Sequence, residues 1–431
     1  MSEALYEQRP LGDAVDRHIG GGTPPRQVPS FWKGNIPWAS VKDFSEQKSV
    51  ILDTEEHISA AGLHASTSNL IPALTPLVCT RMAVGRAALP VVPMAINQDV
   101  KALFPASGVS AEYLLKLMQH IQPLAEGRAV GSTVKGIRIQ EYLNIPVPLA
   151  PQKAQPIIAH ILDTLDTTIR ESEALINKLK AIKQGLLHDL LTRGIDANGQ
   201  LRPPQSEAPQ LYKESPLGWI PSEWEVLRLD TVAARGSGHT PSKDVLSYWN
   251  GGVKWVSLAD SHRLDQIYIH ETDKEISELG IANSSAVLHS EGTVILSRDA
   301  GIGKSAILGC NMAVSQHFMA WRCGEKLNNL FLYFYLQREK PKFEAIAMGS
   351  TIKTIGLPFF KSYEIALPPR GEQDQAAAIL MDTEQHLAAH DAELEKLRQQ
   401  KIGLMDDLLT GRVSVTPLLE SMQQAAARTE A

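Results

Sequence analysis

Cysteine is scarce in this chain: Cys79, Cys310 and Cys323 are the only three in 431 residues, and no two form a C-x-x-C pair. So small and odd a set excludes a disulfide framework and a zinc ribbon, and the thiols read as reduced, partly buried fillers. Long apolar runs are missing as well. No stretch of about 18 apolar residues occurs, which removes the signal for a transmembrane helix. The opening, MSEALYEQRPLGDAVD, is acidic and polar where a signal peptide is basic and then apolar. Both absences point to the cytoplasm. An excess of basic charge is lacking too. The net charge is -6; residues 1–151 carry 13 Lys and Arg against 13 Asp and Glu, and residues 219–369 carry 15 against 16. Any contact with nucleic acid must therefore rest on local arrangement.

The usual catalytic motifs are also missing. Residues 301–305 read GIGKS, but the first glycine of a phosphate-binding loop would fall on Arg298, so the backbone cradle for an anion is incomplete. No G-x-G-x-x-G follows a strand, and neither H-E-x-x-H nor G-x-S-x-G occurs. There is no Asn-Pro-Pro-aromatic run of the kind that holds a flipped base in amino-methyltransferases, and the 13 histidines are scattered, so no metal site is indicated.

What the chain does contain is a copy of itself. Residues 394–410 repeat residues 176–192 at an offset of 218, with nine of seventeen positions identical: Lys178, Leu179, Lys183, Gly185, Leu186, Asp189, Leu190, Leu191 and Thr192 return as Lys396, Leu397, Lys401, Gly403, Leu404, Asp407, Leu408, Leu409 and Thr410. Chance predicts about one match, so the chain is a doubled unit. At an offset of 217, Thr23, Pro24, Trp32, Gly34, Trp38, Ser40 and Asp43 reappear as Thr240, Pro241, Trp249, Gly251, Trp255, Ser257 and Asp260. GSTVKGI from Gly131 matches GSTIKTI from Gly349. The order is domain, helix, domain, helix. Length fits this, since 431 residues exceed what one core usually serves. An apolar content of 43% and a charged content of 21% are those of a globular protein.

Residues 1–151 and 219–369 have the texture of mixed α+β domains. In the first, short strand-like runs at Leu77–Thr80 and Ile145–Leu149 accompany one helix at Ala111–Ile121, with many Gly and Pro turns and no strand-helix alternation. Residues 152–192 form a long helix: Ile158, Ile161, Leu162, Leu165, Ile169, Ile176, Leu179, Leu186 and Leu190 fall at three- and four-residue steps on one face. About 38 residues make a rod of roughly 55 Å, and the natural cover for its stripe is its own copy in residues 370–412, through Ile379, Leu387, Leu394, Leu397, Leu404 and Leu408. The opening of that second helix is poorer in large apolar residues, which leaves a loose end or a stripe facing a partner. Lys183 and Lys401 interrupt both seams at one place. Either their stems lie along the stripe with the ammonium in water, or they fix register or touch a partner. Gly185 and Gly403 each cost about 1 kcal/mol inside a helix relative to Ala, which points to close approach of another backbone, that of the paired helix or of a partner subunit. Residues 196–224 are dense in Pro, Gly and polar residues and read as an extended connector with little core; the connector proper is 193–218, and 413–431 form a C-terminal tail.

Candidate contacts to DNA are the cations and small hydroxyls on glycine-rich turns present in both halves. Arg81 and Arg86 correspond to Arg298 and Lys304, while Ser132, Thr133 and Lys135 correspond to Ser350, Thr351 and Lys353. Such groups suit phosphate oxygens, and Arg also grips a guanine edge. The plainer reading makes them solvated turn residues or hydrogen-bond donors within the domain. Trp32, Trp38, Trp249 and Trp255 read as core.

The order of domains and helices, the endings HDLLTRGI and DDLLTGRV, the segment YKESPLGWIPSEWEV and the GGTP and IPWASVKD motifs resemble the DNA specificity subunit of type I restriction-modification systems. The resemblance covers essentially the whole chain. It implies two mixed α/β target recognition domains, each reading one half of a split double-stranded DNA sequence through the major groove. The two helices pair as an antiparallel coiled coil with a pseudo-two-fold repeat, act as spacer and carry two modification subunits. The interface residues are then Leu179, Gly185, Leu186, Leu190, Leu397, Gly403, Leu404 and Leu408. S-adenosylmethionine, ATP and Mg belong to the modification and restriction subunits; this chain has no cofactor, metal or catalytic residue of its own. A roughly 55 Å rod spans about 16 base pairs, so half-sites one helical turn apart are within reach. The competing reading is a coiled-coil scaffold whose domains bind proteins.

Overall fold

A computed structural model describes residues 6–45, 49–349, 353–415 and 417. The chain forms two compact units, residues 1–173 with 392–431 and residues 174–391. Each holds one mixed domain together with half of each long helix.

In the first unit a five-stranded sheet runs in the order Val15–Gly20, Val100–Pro105, Leu77–Cys79, Ala87–Pro90, Val50–Ile51, antiparallel except for its last pair. A four-stranded sheet follows the order His57–Ile58, Ile36–Ala39, Met94–Ile96, Leu70–Ile71, parallel only at its central pair. Gln8–Pro10 pairs with Pro146–Pro148. Leu77–Cys79, Ala87–Pro90 and Met94–Ile96 are buried along their whole length, so they appear in sequence as short apolar runs with no polar alternation.

The second unit repeats this topology strand for strand. Its five-stranded order is Ala233–Ser237, Phe318–Cys323, Val294–Ser297, Ser305–Leu308, Tyr268–Ile269; its four-stranded order is Lys274–Ile276, Trp249–Val256, Met312–Val314, Leu288–His289. Ser40 with Asp43 and Ser257 with Asp260 close equivalent capping boxes on short turns, which explains why WASVKD and WVSLAD recur.

The long helices are Gln155–Leu190 and Arg370–Thr410, of 36 and 41 residues. The first unit's core takes Ile158 and Leu162 from the start of the first helix and Leu408 and Leu409 from the end of the second. The second unit's core takes Leu190 and Leu191 from the end of the first helix, and Ala376, Ala377 and Leu380 from the start of the second. The repeated D-L-L-T ending is thus an anchor: each helix begins on one recognition domain and ends in the core of the other unit. The opening of the second helix is accordingly not loose. Its two alanines and Leu380 face the second domain, while Ile379, placed on the seam by its spacing, is 37% exposed.

The helices pair antiparallel within each unit, and the pairing obeys the internal repeat. In the second unit Lys183 reaches Glu384, and Lys180 lies 4.0 Å from Asp391. Shifted by 218 residues these become the pairs of the first unit, Lys401 with Asp166 at 2.5 Å and Arg398 with Glu173 at 2.7 Å. Lys183 and Lys401 therefore leave their ammonium groups on a carboxylate of the facing helix and fix its register. Lys183→Glu is expected to cost about 1 kcal/mol, and Glu384→Lys added to it to recover most of the loss, as read by urea unfolding. A purely additive double mutant would sink the register assignment.

Gly185 and Gly403 are exposed, and a Cβ built on either would meet nothing within 4 Å. The paired helix does not approach them. The 196–224 segment also departs from expectation, because it is tied down and not merely extended. Tyr212–Ser215 and Gly218–Pro221 form a hairpin, Tyr212 donates to the Pro203 carbonyl at 2.6 Å, and Arg202 is buried against Glu372.

Candidate nucleic-acid interface

The structure brings Arg81 onto the loop that carries Ser132, Thr133 and Lys135. Val130 and Gly136 close that loop by mutual backbone hydrogen bonds of 2.9 Å, Gly136 bridges to Arg81, and the Met82 amide donates to the Lys135 carbonyl at 2.9 Å. The three loop side chains and Arg81 are exposed. Arg81 also donates to Asp99 at 3.3 Å. Arg86 lies elsewhere: it lines a cleft of about 410 Å³ with Gln119, Asp166, Arg398 and Lys401, against the helix pair of its own unit.

The second domain presents its counterparts differently. Arg298 is not the counterpart of Arg81 in the fold: the Ile355 amide donates to the Arg298 carbonyl as the Ile137 amide does to that of Thr80, so Arg298 takes the place of Thr80 and Asp299 that of Arg81. Arg298 turns inward and donates to the carbonyls of Gln316 at 3.1 Å and Ile355 at 3.0 Å. Lys304 donates to the Ser261 carbonyl at 2.9 Å, yet shares with Lys340 and the exposed Lys353 a cleft of about 380 Å³ above Gly301. Ser350 and Thr351 lie outside the described residues. Lys340 pairs with Asp265 at 2.8 Å. Burial would raise the Asp265 carboxyl, but Gln337 and Lys340 hold it below its ordinary value. Among the interface leucines, Leu190 and Leu408 are buried, and Leu179, Leu186, Leu397 and Leu404 are half-buried.

Sequence reasoning passed over one pair of residues that both domains share. Gln98 and Gln316 are exposed although the residues on either side are largely buried. Thr23 Oγ1 donates to Gln98 Oε1 at 2.6 Å, and Thr240 Oγ1 donates to Gln316 Oε1 at 2.6 Å. The support beneath is duplicated too. Trp38 and Trp255 donate their indole N–H to the carbonyls of Gly22 and His239, each at 3.1 Å, and each packs edge-on against Trp32 or Trp249. At Gly21 and Gly238 a Cβ would lie 1.9 Å from the Ile96 carbonyl oxygen and 1.6 Å from that of Val314, so only glycine lets this loop lie flush on the strand leading to the glutamine. The signal was present as AINQ at 95–98 and AVSQ at 313–316.

The sequence profile of the type I restriction modification DNA specificity domain matches residues 4–181 and again residues 221–399. The chain belongs to this family. The two matches each contain one recognition domain and most of the helix that follows it. The MjaIX type I restriction enzyme specificity subunit of Methanocaldococcus jannaschii is 21% identical over 415 residues, covering 93% of this chain and 91% of the relative. The EcoR124I/EcoR124II specificity subunit of Escherichia coli is 28% identical over 174 residues, 39% of this chain and 42% of the relative. Among solved structures, the S subunit of a type I restriction-modification system from M. genitalium superposes with a TM-score of 0.58 at 14% identity, covering 95% of this chain and 97% of that one. A chain from a study of type I complex assembly and conformational transition gives 0.59 at 18% identity, covering 95% and 98%. The specificity-subunit fold is therefore shared along nearly the whole length. Among the described residues no helix is long and apolar enough to cross a membrane, and no group of three His, Cys, Asp or Glu side chains is placed to hold a metal ion.

Proposed function

We propose that the chain is the non-catalytic, sequence-specific DNA-binding subunit of a type I restriction-modification complex, working in the cytoplasm. Each recognition domain reads one half of a bipartite double-stranded target, and the paired helices set the gap. Two modification subunits bring S-adenosylmethionine and transfer the methyl group to adenine; restriction subunits bring ATP and Mg. The observation that carries this reading is the duplication itself: one scaffold, repeated to the strand, ends in two loop edges with different side chains, as a reader of two different half-sites requires. The protein-binding scaffold is not favoured, since the family defined by DNA specificity matches both halves.

The modification subunits have a surface to use. Gly185 beside Ile182, 44% exposed, and Gly403 beside Ile402, 70% exposed, leave small and apolar positions uncovered on the two helix pairs. Since the paired helix comes within 4 Å of neither glycine, we assign the close approach to a modification subunit.

The test is to co-express the chain with its modification subunits and sequence the methylated adenines. A split motif is expected, and none from the chain alone. Methyl transfer by the isolated chain, or a complex with no sequence preference, defeats the proposal. The spacer role has its own experiment. Seven residues inserted after Glu173, matched by seven after Asp391, add about 10 Å to the helix pair and are expected to widen the gap by about three base pairs, with both half-sequences unchanged. A changed half-sequence would show that the helices do more than space.

A further inference from the structure

The two domains agree at some exposed loop positions and differ at others. Agreement is complete at the Thr–Gln pair, from the tryptophan and glycine beneath to the 2.6 Å hydrogen bond above. One residue further on they part. In the first domain Asp99 follows Gln98 and accepts from Arg81 at 3.3 Å. In the second His317 follows Gln316, and its Nδ1 lies 2.5 Å from Asp299, which also accepts from Thr354. If the domains read different half-sites, the residues that differ serve what differs between those sites, the base edges. The residues that are the same serve what the sites share, the sugar-phosphate backbone.

The glutamine geometry suits that division. A separation of 2.6 Å belongs to O–H···O, so the threonine hydroxyl engages the amide oxygen and leaves Nε2 as the outward group, a donor. In the first domain Gln98 Nε2 stands a long 3.4 Å from Asp99 Oδ2, and in the second Gln316 Nε2 stands 3.4 Å from His317 Nε2. Neither contact is short enough to hold the amide against a phosphate oxygen. A pre-oriented donor on a rigid turn, exposed among buried neighbours, is how a backbone contact fixes a reading head in register.

We propose that Gln98 and Gln316 are equivalent contacts to the DNA backbone, each donating Nε2–H to a phosphate oxygen in its own half-site, while the exposed Arg81, held by the buried Asp99, and His317, held by Asp299, belong to the base-reading sets beside them. The proposal rests on the DNA-reading function above. Its test uses the full chain assembled with modification subunits, measured by anisotropy on a cognate and a scrambled duplex and by mapping of methylated adenines. Gln98→Ala is expected to weaken binding about tenfold on both duplexes and to leave the methylated motif intact. Gln98→Glu, which keeps an oxygen for Thr23 but turns an acceptor and a negative charge outward, is expected to bind more weakly still on both. Gln316→Ala and Gln316→Glu should behave alike, whereas Asp99→Asn should alter one half-sequence only. Equal affinity for wild type and Gln98→Glu, or a Gln98→Ala change in one half of the motif, overturns the proposal. A wild-type complex that shows no split motif at all defeats the DNA-reading function instead, so the two failures are distinguishable.

Discussion

Lys116→Met is expected to destabilise the unit formed by residues 1–173 and 392–431 by about 3–5 kcal/mol at neutral pH. Lys116 sits on the helix Ala111–His120, its side chain fully buried, with Nζ 2.7 Å from both Asp163 and Asp166. Asp166 is also bound by Lys401 at 2.5 Å. One carboxylate of the first long helix is therefore gripped from the recognition domain and from the second helix at once. Removing the lysine leaves Asp166, its side chain 10% exposed, with half its compensation. Burial would raise the Asp166 carboxyl, but Lys116 and Lys401 outweigh it and hold the group below its ordinary value. The sign of the pH effect follows. A carboxyl depressed in the folded state contributes stability that is present above the ordinary aspartate range, near pH 4, and is lost as pH falls through the folded value. Wild type and Lys116→Met should accordingly converge on acidification. The double variant Lys116→Met, Asp166→Asn should recover much of the loss, because Lys401 can turn to water. Amide exchange of Ala111–His120 with urea unfolding measures all three, and a Lys116→Met protein as stable as wild type at pH 7 refutes the argument.

The same cluster marks what sequence could and could not disclose. The long helices were readable because apolar spacing is local and the 218-residue repeat confirmed it; Leu77–Cys79 and Ala111–His120 fall within a residue of their expected limits for the same reason. The pairs Lys183–Glu384 and Lys401–Asp166 were not readable, since each joins residues more than 200 positions apart whose proximity only the fold supplies. Phe334 illustrates the limit further. It stands 218 residues after Lys116 and is 1% exposed, so the second unit packs an aromatic ring where the first buries a charge. Two copies of one scaffold solved the same docking problem by different physics. Arg81 and Arg298 show another limit: an offset of 217 pairs them in sequence, but the backbone hydrogen bonds put Arg298 in the place of Thr80 and Asp299 in the place of Arg81, a shift of one residue that only the fold reveals.

Glu372→Ala is expected to cost the 174–391 unit about 3–5 kcal/mol, again by stranding buried charge. Glu372 lies in the first turn of the second long helix, and its carboxylate collects the far end of the first. Oε1 accepts from the Ile195 amide at 2.9 Å, from Arg202 at 2.5 Å and from the Trp224 indole at 3.2 Å, while Oε2 accepts from Arg202 at 3.1 Å. The side chains of Arg202 and Glu372 are each 8% exposed. Gly194 passes so close that a Cβ there would lie 1.9 Å from Glu372 Oε1, and its φ of +63° favours glycine independently. This explains why HDLLTRG ends as it does: the turn that stops the first helix is shaped to admit the carboxylate that starts the second. In Glu372→Ala, Arg202 retains the Arg193 carbonyl at 3.1 Å and, as counter-charge, Glu223, itself 71% exposed, while the Ile195 amide and Trp224 indole lose their acceptor. Glu372→Gln keeps one oxygen and should lose less. Arg202→Met, Glu372→Leu, which removes both charges while filling the space, should lie closer to wild type than Glu372→Ala. Trypsin cleavage after Arg193, which needs this clamp open, should accelerate in the order Glu372→Gln, then Glu372→Ala. Unchanged cleavage in Glu372→Ala would mean that the connector is held by its hairpin alone.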